Sequence, residues 1–388
     1  MTQTNQKLQK AFQRKCPNCG APLRFDPKSG KLFCQHCKGL VDFEQSKDVR
    51  ERDFAELYDF TPWKEGEVSA YRCANCGASS VVSRTALATS CPFCGSPVVL
   101  DEKATGLVRP DSLVPFELSE KDAAAQLSVW RKRKIFAPNR FRKNTREKSV
   151  KGVYVPVWTF DAETISRYSG TLGKYKTRTV RRNGKTYTET YTDWFHVSGD
   201  IAASFDDLMY SGNNNVDARY FQEASHIDKS KYVVYSDEYL AGYIADNYTL
   251  GPEQAYQIAR GFMDGAIRGK IKDRYNADVI GNINLDTTVT SRSFKYMFFP
   301  VYVAATKFKG KVYNQFVAGF WQSGSKDKAH VCGTFPKSGW KVFFTVLAGL
   351  LAVVGIVGLI VYAISHGGTP SDFWDGWEFD FWGRLLLK

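Results

Sequence analysis

CPNCGAPLRFDPKSGKLFCQHC at residues 16–37 and CANCGASSVVSRTALATSCPFC at residues 73–94 share one pattern, Cys-x2-Cys-x14-Cys-x2-Cys. The pattern is an internal repeat and takes up eight of the nine cysteines: Cys16, Cys19, Cys34 and Cys37, then Cys73, Cys76, Cys91 and Cys94. Zinc favours four soft ligands at tetrahedral corners, and four thiolates supply them. A two-residue gap lets one tight turn aim two sulfurs at one ion, and fourteen residues suit a β-hairpin that returns the second turn to the first. Gly20, Gly77 and Gly95 directly follow their turns, where a backbone with positive φ helps amides point at sulfur. The expectation is two zinc ribbons holding two structural Zn2+ ions per chain, each closed by four thiolates, with no coordination position left for catalysis. His36 lies inside a turn and reads as a bystander, and Cys332 falls outside the pattern as a buried or juxtamembrane thiol.

Around this repeat the chain has 388 residues, enough for two to three domains. With 43% apolar and 24% charged residues it is neither disordered nor collagen-like. The 14% aromatic share and many threonines lean toward β structure. A net charge of +13 directs attention to polyanionic partners, nucleic acid or an acidic membrane surface.

Residues 342–365, VFFTVLAGLLAVVGIVGLIVYAIS, contain no charge. As a helix they are about 36 Å long, enough to cross a hydrocarbon layer of roughly 30 Å. Lys326, Lys328, Lys337 and Lys341 precede the span, and no basic residue follows until Arg384. The positive-inside rule then predicts a single-pass protein of the cell membrane with its N-terminus cytoplasmic and its C-terminus extracytoplasmic. Residues before 342 carry +15 and the remainder −2, so the positive charge sits on the cytosolic side. A reducing cytosol also suits cysteines used as metal ligands. The polar N-terminus has no apolar core and does not read as a secretory signal.

The fold class expected is α+β and multidomain: zinc ribbon 1 (1–42), a helical linker (43–64), zinc ribbon 2 (65–100), a linker and basic helix (101–150), a β-rich cytosolic domain with a few helices (151–336), one C-terminal transmembrane helix (340–366) and an aromatic, acidic tail (367–388). In the linker, Phe43, Phe54, Leu57 and Tyr58 lie partly at helical spacing. Ser119 with Asp122 three positions on predicts a helix start. Tyr154-Val-Pro-Val-Trp158 and Phe298-Phe-Pro-Val-Tyr302 read as strands. Asn183-Gly184, inside KYKTRTVRRNGKTYTETYTDWF, predicts a two-residue hairpin turn pairing Arg178 with Glu189, Thr179 with Thr188 and Val180 with Tyr187. With one face mostly Thr and the other Arg, Lys, Tyr and Glu, this ribbon should project into solvent. Pro252 starts a helix reaching about Ala277, with Ala255, Ile258, Ala259, Phe262, Met263, Ala266, Ile267 and Ile271 as its apolar stripe.

Residues 131–151 hold ten Lys or Arg and one acidic residue. Arg131, Lys132, Arg133, Lys134, Arg140, Arg142 and Lys143 are the candidate polyanion-binding residues. Anionic lipid headgroups would contribute about 1 kcal/mol per cation near the surface, while a nucleic-acid reading adds Phe136 and Phe141 for stacking. The tail residues Trp374, Trp377 and Trp382 suit the outer headgroup layer. A phosphate-binding loop, an H-E-x-x-H helix and a G-x-S-x-G elbow are all missing, so the chain reads as a non-enzyme.

The paired ribbons, Val114-Pro-Phe116, Tyr154-Val-Pro-Val-Trp158 and FVAGFWQSGSKDKAHVCGTFPKS at 316–338 ahead of a C-terminal membrane helix resemble the bacterial zinc-ribbon membrane proteins often labelled primosomal protein N′-like or phage replication protein. Genes of that family stand beside those of phage-shock-protein-A-like membrane remodellers and flotillin-like proteins. The resemblance implies a membrane-stress scaffold that recruits such partners to the bilayer. The alternative is a membrane-tethered nucleic-acid-binding protein linked to replication or phage functions. The helicase-like label implies nucleotide-binding loops, which this chain lacks.

Overall fold

A computed structural model describes residues 15–63, 68–83, 90–100, 108–143, 150–216, 220–221, 227–325, 327–365, 377–379 and 385–387. The chain divides into two units, Met1–Trp130 with Thr145–Thr334, and Arg131–Asn144 with Phe335–Lys388.

The first unit opens with a three-stranded antiparallel sheet of β1 (Leu23–Asp26), β2 (Lys31–Cys34) and β3 (Leu40–Val41). Leu23, Phe25, Leu32 and Cys34 alternate into the interior, the period of a half-buried strand. The helix expected in the 43–64 linker does not form over its described residues, 43–63. The chain there is extended through β4 (Arg52–Asp53), with one 3-10 turn at Phe54–Glu56. Its apolar residues serve different contacts rather than one face. Phe43 packs on Phe25 and Tyr239, Phe54 on Tyr256 and Phe294, and Tyr58 is exposed.

Beyond it come β5 (Val68–Arg72), β6 (Ser79–Ser83), β7 (Val99–Leu100), β8 (Ser112–Leu113), α1 (Glu120–Arg133) and the short α2 (Asn139–Lys143). The Ser119–Asp122 signal is met reciprocally: the Asp122 amide donates to Ser119 Oγ at 3.3 Å and the Ser119 amide donates to Asp122 Oδ2 at 3.1 Å.

Three long strands carry the body: β9 (Lys151–Arg182), β10 (Lys185–Ser211) and β13 (Val279–Phe308), with β11 (Val233–Val234), β12 (Ile244–Asp246) and α3 (Pro252–Arg274) between the last two. Along its length β9 passes through three environments, and its sequence changes with them. Residues 152–160 are buried on both faces and nearly all apolar. From Ala162 to Tyr168 burial alternates, and from Tyr175 to Arg182 the strand is largely exposed and polar. The two proline-centred runs are antiparallel neighbours, Phe298 opposite Pro156 and Pro300 opposite Tyr154. The hairpin register is the predicted one, and Asn183 and Gly184 take φ of 50° and 76°.

The sheet is completed by β14 (Lys311–Ala318) on β13 and β15 (Val331–Gly333) on β14. Aromatic contacts fill the centre, with Trp158 and Tyr296 ring centroids 4.6 Å apart and Phe116 stacked on Tyr243 at 4.1 Å. Two of the buried polar tips find carbonyls: Trp158 Nε1 donates to Leu250 at 2.9 Å and Tyr302 Oη to Leu118 at 2.7 Å. On α3 the buried row is Ala255, Ala259, Met263, Ile267 and Ile271, narrower than the expected stripe, because Ile258, Phe262 and Ala266 face outward.

The two four-cysteine segments are built into this body rather than set apart from it. The Phe25 amide donates to the Ala241 carbonyl at 2.9 Å. β6 pairs with β12, which in turn pairs with β9.

In the second unit, α4 (Gly339–Ser365) matches the expected apolar helix. Its stretch Gly339–Tyr362 has a mean hydropathy of 2.8, and by length and composition it can cross a membrane. Of the tail, β16 (Trp377–Phe379) and β17 (Leu385–Leu387) pair antiparallel. The expected interfacial Trp374 and Trp382, and residues 144–149 of the basic stretch, lie outside the described residues.

Candidate metal centres and the basic segment

All four Cys-x2-Cys turns fold alike. In each, the first cysteine's amide donates to the carbonyl five residues on, and its own carbonyl accepts from the amide four residues on; for Cys16 these distances are 2.8 and 2.9 Å. The residue completing the turn takes positive φ: 72° at Gly20, 75° at Gly77 and 74° at Gly95. A Cβ would meet nothing within 4 Å at these glycines, so the backbone angle is what glycine relieves there. The fourth turn lacks glycine, and Lys38 adopts φ of 62° in its place.

The sulfurs converge in two groups of four, Cys16, Cys19, Cys34 and Cys37, and Cys73, Cys76, Cys91 and Cys94. Sγ–Sγ distances are 3.4 Å for Cys16–Cys37, 3.5 Å for Cys19–Cys34, 3.4 Å for Cys73–Cys94 and 3.6 Å for Cys76–Cys91. A tetrahedron with metal–sulfur bonds of about 2.3 Å has edges of about 3.8 Å, so each group can hold a metal ion. In the first segment the intervening residues form the expected β1–β2 hairpin. In the second, β6 is in place and residues 84–89 lie outside the described residues.

The thiols are electrostatically unequal. The Cys37 amide holds Cys34 down at about 6. The Gly39 amide pulls Cys37 down, but the Cys16 and Cys34 sulfurs outweigh it and push it up to about 12. Burial pushes Cys76 up to about 11. Burial also raises Cys94, yet hydrogen bonds from Ser96 and Asn75 bring it to about 6. Four sulfurs this close cannot all shed their protons without a cation among them, and a bound divalent metal supplies that charge. His36 is exposed, and Cys332 lies buried on β15, outside both groups.

A third cluster escaped the sequence reading. Carboxylates of Asp161, Asp206 and Asp207 converge at a bulge in β10, where Asp207 has φ of 48°. Two lysines already supply the counter-charge: Lys295 Nζ lies 2.7 Å from Asp207 Oδ1 and 3.0 Å from Glu51 Oε1, and Lys229 Nζ is 3.1 Å from Asp207 Oδ2. Burial lowers the Lys295 pKa, but Asp207, Glu51 and Asp161 more than offset it and hold the ammonium above its ordinary value. The cluster is an ion-pair network. Beside it lies a cavity of about 370 Å³ lined by Asp206, Met209, Asn213, Phe221 and Phe262, among others. No spacing signal marks the ion-pair network, whose members Glu51, Asp161, Asp206–Asp207, Lys229 and Lys295 are scattered along the sequence.

The basic segment is not uniformly a surface. Arg131 is fully buried with its guanidinium 4.8 Å from the centre of the Phe141 ring, and burial lowers its pKa to about 10. Arg131 is therefore withdrawn from the candidate polyanion ligands, and buried Phe141 from base stacking. Lys132, Arg133, Arg140 and Lys143 are exposed. Lys134 and Arg142 are half-buried, Lys134 lying over Phe335 at 5.5 Å and Arg142 donating to the Lys132 carbonyl at 2.6 Å.

The segment is fastened to the start of the apolar helix. Lys341 Nζ donates to the Ala137 carbonyl and to Asn139 Oδ1, both at 2.9 Å, and to the Ile135 carbonyl at 3.2 Å. The Ser338 amide donates to Phe136 at 2.8 Å. Trp340 stacks on Phe344 at 5.7 Å in the first turn, and both rings are exposed.

These features define a β-rich protein with two four-cysteine groups that can each hold a metal ion and, among the described residues, one helix long and apolar enough to cross a membrane. Among curated proteins it is similar to the uncharacterized protein YdjG of Bacillus subtilis (strain 168), 26% identical over 293 residues, covering 75% of this chain and 82% of that one. No protein-family model matches the chain, and no solved structure does.

Proposed function

We propose that the chain is a non-enzymatic adaptor anchored in the cytoplasmic membrane, whose β-rich body, stiffened by two structural zinc ions, presents a platform for protein partners. The observation that carries this reading is the fastening of residues 131–143 to the first turn of α4, through Lys341 and Ser338. It ties the segment that carries the exposed Lys132, Arg133, Arg140 and Lys143 to the helix start that carries the exposed Trp340 and Phe344, a combination suited to a cationic and aromatic collar at a bilayer surface. Orientation follows from the same cations: the body is cytoplasmic and the tail extracytoplasmic. The sulfur ligands and their near-tetrahedral spacing favour zinc. By resemblance, the partners are a phage-shock-protein-A-like remodeller and a flotillin-like protein in a membrane-stress complex.

The test is lipid and partner retention by the full chain. Purified gently, it should retain phosphatidylglycerol over phosphatidylcholine and carry the remodeller with it. Replacing Lys132, Arg133, Arg140 and Lys143 with Gln should abolish the lipid preference, each cation accounting for about 1 kcal/mol near the surface. A preparation with no lipid preference and no co-purifying membrane partner would dismiss the adaptor.

A further inference from the structure

The hairpin of β9 and β10 outruns its third strand. Val279 of β13 faces Gly173, and beyond that pair residues 174–193 have strand partners only in each other among the described residues. Alternation puts Lys174, Lys176, Arg178, Arg182 and Lys185 on one face of this arm. The arm's two acidic side chains are already engaged: Glu189 by Arg178 at 2.9 Å and Asp193 by Lys176 at 2.6 Å. Lys174, Arg181, Arg182 and Lys185 have no ion-pair partner among the described residues, and the last three cluster at the tip.

The remaining chemistry narrows the partner. Val180 is the single aliphatic side chain between 174 and 193, so the arm can neither insert into a bilayer nor form an apolar protein interface. The opposite face carries a row of threonines, hydroxyl donors suited to phosphate oxygens, with Arg181 at its tip and Tyr175 at its base. Tyr187 and Tyr191 stand 51% and 39% exposed among the cations. Successive cations on β9 are about 6.6 Å apart, close to the separation of neighbouring phosphates on one nucleic-acid strand. A two-stranded ribbon fits the major groove of B-form DNA, whereas the major groove of A-form RNA is too narrow.

We propose that this arm binds duplex DNA without sequence preference, its tip in the major groove and its cation row on the phosphates. The arm uses none of the residues assigned to the lipid collar, and the inference does not rest on the adaptor reading.

The experiment uses the full chain in phosphatidylcholine nanodiscs and a labelled duplex of about 20 base pairs, with affinity followed between roughly 50 and 200 mM salt. Four unpaired cations predict a log–log slope of about −4. Arg181→Gln, Arg182→Gln and Lys185→Gln together should make the slope shallower by roughly three units and weaken binding at least about tenfold at the lower salt. Glu189→Gln with Asp193→Asn releases Arg178 and Lys176, and should tighten binding and steepen the slope by about two units. That gain cannot come from a folding defect. The proposal falls if wild-type protein does not bind at low salt, or if the tip and release variants leave the slope unchanged. It falls equally if binding is lost only when Lys132, Arg133, Arg140 and Lys143 are changed. Equal binding of duplex RNA, or equal competition by polyglutamate, would also overturn it.

Discussion

Cys34 is fully buried and Cys37 exposed, and one turn aims both at the same point. The two groups of four cysteines were legible because two-residue gaps are a local constraint, written into contiguous sequence. Lys38 was not, since nothing in its side chain announces the positive φ that the turn imposes. Arg131 was misread for a related reason: a cation in a basic run looks solvated until the fold lays Phe141 beneath it. Metal analysis of the purified chain should give two zinc ions. Cys34→Ser should leave one and lower the melting temperature, whereas Cys332→Ser should leave two. A Cys34→Ser protein that still holds two would refute the four-thiolate assignment.

At the scale of elements, β12 is three residues long yet joins β6 of the second cysteine segment to β9. Its last residue, Asp246, is fully buried and accepts from Asn213 Nδ2 and Asn215 Nδ2, both at 2.8 Å. Burial pushes its carboxyl up to about 7 against the bonds from Asn215 and Asn213. The folded chain therefore holds a proton that the unfolded chain gives up near pH 4. This stabilisation is fully present below about pH 4 and is lost as pH rises toward 7. Asp246→Asn keeps an acceptor for the two amides and has no proton to lose. Its melting temperature should stay flatter than the wild type's between about pH 5 and 7.5, and parallel curves would rule out Asp246 as the source. Sequence could place β9, the Asn-Gly turn and α3, whose patterns are periodic and long. It could not place β12 or the course of residues 42–60, where Phe43 and Phe54 answer to partners some two hundred residues away.

For the whole molecule the separation of charge and apolarity decides location. The chain should resist carbonate extraction from membranes, and removal of residues 339–388 should release it to the soluble fraction. In spheroplasts, added protease should remove an epitope fused after Lys388 and spare the body. Digestion of the body from outside would invert the proposed orientation. The α+β character, the β-rich body and the apolar helix were readable from composition and periodicity, because each rests on many residues at once. The merging of both cysteine segments into the body was not, because it depends on pairings such as Asp246 with Ser80 that leave no local pattern.

The long pairing of β9 with β13 bears on how the ribosome delivers the chain. β10 can close on β9 as soon as Ser211 has emerged, but Val279, where β13 starts, comes roughly seventy residues later. At about 5–20 residues per second, the inner edge of β9 stands open for several seconds, with its most apolar segment uncovered. An edge of that length and composition is a template for the wrong strand. Yield from cells should therefore depend on translation speed and on chaperones that shield nascent strands, even where the finished protein is stable.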